Sequence, residues 1–123
     1  VDRSHPYAAA IQALASAMLG DASSALESAA VVGAAAAATY LDRVIAAVAA
    51  AAADVSLGNT DDATECLDAA GVTAAEAGDV VTRALVRAAQ QVLLDDLATF
   101  DIDHLGSGWR RVVQALADSA KSE

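Results

Sequence analysis

Between Ala34 and Leu57 the chain reads AAAAATYLDRVIAAVAAAAADVSL, a stretch with neither proline nor glycine that runs up to Gly58. Alanine is the best helix former because it loses no side-chain freedom on folding, so these 24 residues predict one helix, about 36 Å long at ~1.5 Å per residue. The larger apolar residues Tyr40, Leu41, Val44, Ile45, Val48 and Val55 recur at three- and four-residue steps and form a stripe. Alanine on the other faces lets neighbouring helices come close. The segment predicts a central rod packed on several sides.

That rod sets the terms for the remainder. Alanine fills 35 of the 123 positions and aromatics only 3%, so the core has to be thin. Its stability must come from close backbone approach and helix propensity, with a few large residues as wedges. Proline occurs once, at Pro6, and β-branched runs are short. An all-α fold of ordinary single-domain size follows.

The formal net charge of -10 and a pI near 4.3 argue against nucleic acid and anionic membrane surfaces as partners, since either would be repelled across most of the surface. Ala29 to Ala53 is long enough to cross a bilayer, but Asp42 and Arg43 fall in its middle, where charges are costly. A single cysteine, Cys66, rules out an internal disulfide. With no secretory signal, the expectation is a reducing cytoplasm. The start at Val1, without an initiator methionine, leads to the expectation of a domain excised from a larger protein or a trimmed product.

In chain order, residues 1–5 predict a disordered lead-in, and Pro6 suits a first helical position. Helix one is expected over Pro6 to Leu19, with Tyr7, Ile11, Leu14, Met18 and Leu19 marking its buried stripe and Gly20 as its cap. Asp21 caps a second helix, Ala22 to Val32, closed by Gly33. After the rod, Asn59 or Thr60 starts a fourth helix to Ala70, with a break at Gly71-Val72-Thr73 and a short turn capped by Thr73. Gly78 and Asp79 open helix five, Val80 to Ala98. Residues 99–108 form a polar linker. Ser107 caps a last helix, Trp109 to Ala120, whose Trp109, Val112, Val113 and Leu116 make one stripe. Residues 109–123 are expected to cap the end of the structure.

The chain repeats itself. Gly20-Asp21 and Gly58-Asn59 lie 38 residues apart, as do Gly33 and Gly71, and the same step aligns Ala13 with Ala51 and Ala89, Val48 with Val86, and Val55 with Leu93. On these residues the chain resembles the tetratricopeptide-like helical repeats. Gly20 with Ala25 and Gly58 with Ala63 match the family's turn followed by a small residue, and Ala13, Ala51 and Ala89 match its helix-contact position. The family's early aromatic and closing proline are absent, and the period exceeds the usual ~34 residues. The resemblance spans residues 6–98, and is to the degenerate, alanine-rich repeats of large multidomain regulators in high-GC (actinobacterial) bacteria. It implies antiparallel helical hairpins stacked in a short array. The alternative is a closed up-down bundle.

Candidate chemistry is sparse. His5 and His104 have no metal-ligand spacing. Asp95, Asp96, Asp101, Asp103 and His104 could gather around a hard cation but lack the alternation and glycine of a calcium loop, so a solvated linker is the plainer reading. Asp61, Glu65 and Asp68 share one face of helix four without a histidine, lysine or nucleophile to work with. Cys66 reads as a small buried hydrophobe. No phosphate loop, dinucleotide loop, zinc-protease motif or nucleophile elbow occurs. The expectation is a protein without catalytic residues, cofactor or metal.

Arg83, Arg87 and Gln90 occupy one stripe of helix five. In the family the first helices of the pairs line a concave, peptide-binding side, and the resemblance places Tyr7, Leu14, Met18, Arg43, Ile45, Arg83, Val86, Arg87 and Gln90 there. The other reading keeps the apolar members in the core and the arginines in water. The function expected is a protein-interaction or regulatory module of a larger signalling or transcription regulator. The alternative is a small-molecule sensor with an apolar pocket, bordered by Tyr7, Met18, Tyr40 or Trp109. Ala8, Ala15 and Leu19 on the outer side of helix one further predict a homodimer through that helix.

Overall fold

The computed structural model describes residues 5–93 and 107–121 of the chain. They form six helices and, among the described residues, no strand: α1 (Pro6–Met18), α2 (Ala22–Ala34), α3 (Tyr40–Ser56), α4 (Thr60–Ala77), α5 (Val80–Leu93) and α6 (Ser107–Lys121). The protein is all-α. The expected extension of α5 to Ala98 and most of the linker lie outside the described residues.

The helix ends have local causes. Pro6 stands in the first turn of α1, where its missing N–H leaves no bond unmade. Gly20 then takes φ +82°, a left-handed conformation that side chains disfavour. Asp21 caps α2 by accepting the Ser24 N–H at 3.1 Å. The next tight turn copies this one, 38 residues on. Gly58 takes φ +83°. Leu57 N–H donates to Ala53 O at 3.1 Å as Leu19 N–H does to Ala15 O at 3.1 Å, and Asn59 N–H donates to Asp54 O at 2.7 Å as Asp21 N–H does to Ser16 O at 2.9 Å. The sequence repeat is thus a repeat of hydrogen bonding.

Two expectations fail in the middle of the chain. The rod begins at Tyr40, not Ala34, because Thr39 and Asp42 form a capping box: Asp42 N–H donates to Thr39 Oγ1 at 3.2 Å and Thr39 N–H to Asp42 Oδ2 at 3.0 Å. Two satisfied donors outweigh the small propensity advantage of the preceding alanines. Arg43 holds the intervening loop by donating to Ala35 O at 3.1 Å. The break at Gly71-Val72-Thr73 is also absent, since α4 runs through it to Ala77. Thr73 Oγ1 donates back to Ala69 O at 3.1 Å and stays inside the helix instead of capping a new one.

α3 is the hub and touches each of the other five helices. Around it, α1 packs on α2 and α3, α2 on α3, α3 on α4 and α5, and α4 on α5, while α2 and α4 do not meet. This is the neighbour order of consecutive hairpins set side by side. Alanine makes it possible. Ala13, Ala51 and Ala89 are 0% exposed, as are Ala25 and Ala63, so these positions aligned by the 38-residue step are fully enclosed by neighbouring helices.

α1 and α6 depart from expectation. α1 turns Ala9, Ala10, Ala13, Leu14 and Ala17 inward and leaves Tyr7 51% exposed and Ile11 exposed, because its small residues permit a closer approach to α2 and α3 than its bulky ones would. α6 is no simple end cap: it lies against α1, α3 and α5 and touches neither α2 nor α4. Val113 and Leu116 find their cover on that broader surface.

Candidate functional site

The cleft between α4 and α5 gathers polar donors. α5 is aimed by its first turn, where Asp79 accepts Val81 N–H at 2.9 Å, Thr82 N–H at 3.3 Å and the Tyr40 hydroxyl at 2.7 Å. Those bonds hold the Asp79 carboxyl below the usual carboxylate range, the Tyr40 hydroxyl contributing most, and in return push the Tyr40 phenol up. α5 is thereby pinned to the start of α3. Its stripe at i, i+4 and i+7 then places Arg83, Arg87 and Gln90 along the cleft, with Val80, Ala84 and Val86 as the apolar wall and Gly71 of α4 opposite. The space amounts to about 300 Å³ and opens to solvent. Gln90 Nε2 donates to Asp68 Oδ1 at 3.4 Å across it. Two planar guanidinium forks and an amide can hold carboxylates by paired hydrogen bonds.

A second cavity of about 300 Å³ lies on α3 between α2 and α4, the two helices that do not touch. It is lined by Ala29, Val32, Gly33, Ala46, Ala47, Ala50, Ala69 and Ala70, with Arg43, Cys66 and Thr73 among them. Gly33 and Gly71 are 38 residues apart, as are Ala46 and Ala84, so the two cavities share equivalent walls.

The Cys66 thiol donates to Asp54 Oδ2 at 3.9 Å. Burial, and then the charges of Asp54 and Asp62, push that thiol up, away from the reactive thiolate. Asp54 itself is only 6% exposed. Burial first, and the charge of Asp62 second, push its carboxyl above the ordinary value of 3.8, with the Cys66 contact opposing. A carboxyl raised on folding stabilises the protein below its unfolded value and loses that contribution as pH rises through the folded one. At neutral pH the ionised Asp54 is therefore a cost. Asp54→Asn is expected to gain about 1–2 kcal/mol there, the scale of a poorly paired buried polar group, and to gain less in acid. Urea unfolding at both pH values checks this; a gain independent of pH removes the explanation.

The structure divides the nine residues expected on one surface. Arg83, Val86, Arg87 and Gln90 come together in the α4–α5 cleft. Arg43 borders the other cavity, and Leu14 and Ile45 are buried in the core. Tyr7 and Met18, on α1, line neither cavity. Val86 is itself buried and serves as wall, not contact. The 38-residue alignment marks equivalent positions but does not separate those facing a helix from those facing a groove. Gly71, Val80 and Ala84 were missed, although Gly71 carried a signal, being the partner of Gly33 in the repeat. Asp54 and the Tyr40–Asp79 bond were missed as well.

Among the described residues, no group of three or more His, Cys, Asp or Glu side chains could hold a metal ion. The Asp95, Asp96, Asp101, Asp103 and His104 cluster lies outside them. No helix of the described residues is long and apolar enough to cross a membrane. No family model, curated protein or solved structure matches the chain.

Proposed function

We propose that this chain is a non-catalytic protein-interaction module, a tetratricopeptide-like array of hairpins that docks an acidic segment of a protein partner in the α4–α5 cleft. The observation that carries this reading is the pairing of Arg83 and Arg87 with Gln90 in one open cleft, on a chain whose net charge is -10. A local cationic site on an acidic surface selects for a partner whose acidic residues are few and concentrated, since a broadly acidic partner would be repelled. Tyr7, Met18, Tyr40 and Trp109 line neither of these two cavities, which favours the module over a sensor with an aromatic-bordered pocket.

The test is an NMR titration with a short glutamate-containing helical peptide. Binding should shift the amides of Gly71, Arg83, Arg87 and Gln90 and weaken with salt. Arg83→Glu with Arg87→Glu should lower the affinity about tenfold or more, equivalent to roughly 1.4 kcal/mol. Shifts elsewhere, or an affinity indifferent to the double reversal, would reject the site. On the other side, α1 presents Ala8, Ala15 and a Leu19 that is 85% exposed, and we place a symmetric self-contact there.

A further inference from the structure

α6 is held differently from the helices before it. α1 to α5 are joined to one another by contacts that do not involve α6, whereas α6 touches α1, α3 and α5 alone. It therefore lies along one face, built from the first helix of each hairpin. Val113 and Leu116 are buried anchors, with Trp109 and Val112 half-buried beside them. The seat under its C-terminal end is made of small residues: Ala17 and Gly20 of the α1 end, Ala22 at the start of α2, and Ala52, Ala53 and Ser56 of α3, gather around Ser119. A Cβ on Gly20 would stand 3.2 Å from Ser119 Oγ, so α6 rests close against the α1 turn. Charge also sets it apart. Arg110, Arg111 and Lys121 outnumber Asp118, so α6 is a basic helix on a chain of net charge -10.

An amphipathic helix laid by its apolar stripe across a face of other helices is a mode of peptide recognition. Here the helix belongs to the same chain, thirteen residues of sequence beyond α5. We propose that the face of α1, α3 and α5 beneath α6 is a docking seat for a basic amphipathic helix, and that α6 is its resident occupant, exchangeable for a partner helix of the same pattern. Such a partner carries bulky apolar residues at i, i+3, i+4 and i+7, as Trp109, Val112, Val113 and Leu116 do, and arginines or lysines on its outer side. α6 meets α1, α3 and α5 less extensively than α1, α2 and α3 meet one another, which leaves it easier to lift than α3.

The probe is a labelled peptide with the sequence Ser107–Lys121, added to the full chain. It should bind the Leu116→Ser chain about tenfold or more tighter than the wild-type chain, because a resident helix reduces apparent affinity by the fraction of seats left open. A peptide that itself carries Leu116→Ser should not bind. Equal affinity for both chains, or binding that survives the change in the peptide, overturns the proposal. Should Leu116→Ser fail to fold, hydrogen exchange of the wild-type chain decides. α6 amides that exchange while α3 stays protected support the seat, and α6 and α3 opening as one unit overturn it. A dimer that exchanges α6 between copies and is broken by the peptide assigns the seat to a second copy and overturns a separate partner.

Discussion

Leu67→Ala is expected to destabilise the protein by about 2–5 kcal/mol, a large share of the ~5–15 kcal/mol that holds a typical domain together. Leu67 is fully buried in α4, and among the described residues only Ile45, Leu85, Leu116, Val32, Val44 and Val48 join it as the largest fully enclosed side chains. Most of the other core positions are alanines. A cavity left among larger, flexible side chains can shrink as they rotate, but an alanine has no side-chain torsion with which to fill one. Closing the gap would require α3 and α4 to move together as backbones, and these are the helices in most extensive contact. The cost should therefore fall toward the upper part of the range. Urea denaturation reads it as a lowered midpoint at unchanged slope. A loss below ~1 kcal/mol would mean that the helices do slide and that the core is softer than its packing implies.

Ala51→Leu carries the second largest effect, about 1–3 kcal/mol of destabilisation from overpacking. Ala51 is 0% exposed in the helix that touches all others, so three added carbons can be housed only by pushing a neighbouring helix outward. Ala47→Leu is the control. The substitution is the same and on the same helix, but Ala47 borders the cavity between α2 and α4, where about 300 Å³ is open. It should be close to neutral. Equal losses at the two positions would show that leucine in α3 is harmful for a reason other than space.

The parts of this fold that could be read from sequence were those in which one residue type admits one geometry. Gly20 and Gly58 announced left-handed stops, and the recurrence of Ala13, Ala51 and Ala89 announced positions fully buried between helices. What could not be read was a competition between similar residues. Within Ala34 to Thr39 every residue but one is alanine, so propensity points equally to continuing α2, extending α3 or neither, and the Thr39–Asp42 capping box decides it. In α1 the bulky stripe and the alanine stripe both fit a helix face, and the wrong one looks more hydrophobic. For α6 the apolar spacing disclosed which side is buried but not on what, because the identity of the cover is a tertiary fact. The arginine stripe of the cleft was visible for the opposite reason: charged residues at i and i+4 on a helix rich in apolar residues have few places to go.

A core furnished largely by alanine also governs how stability responds to heat. Unfolding exposes less hydrocarbon per residue than it would for a leucine-filled interior, and hydrocarbon exposure is the main source of the heat-capacity increment. That increment should fall below the usual ~12–15 cal/mol/K per residue in calorimetry. The stability curve is then shallow, with its maximum little higher than its flanks. Cooling takes little away from such a protein, and the approach to thermal unfolding is gradual instead of steep.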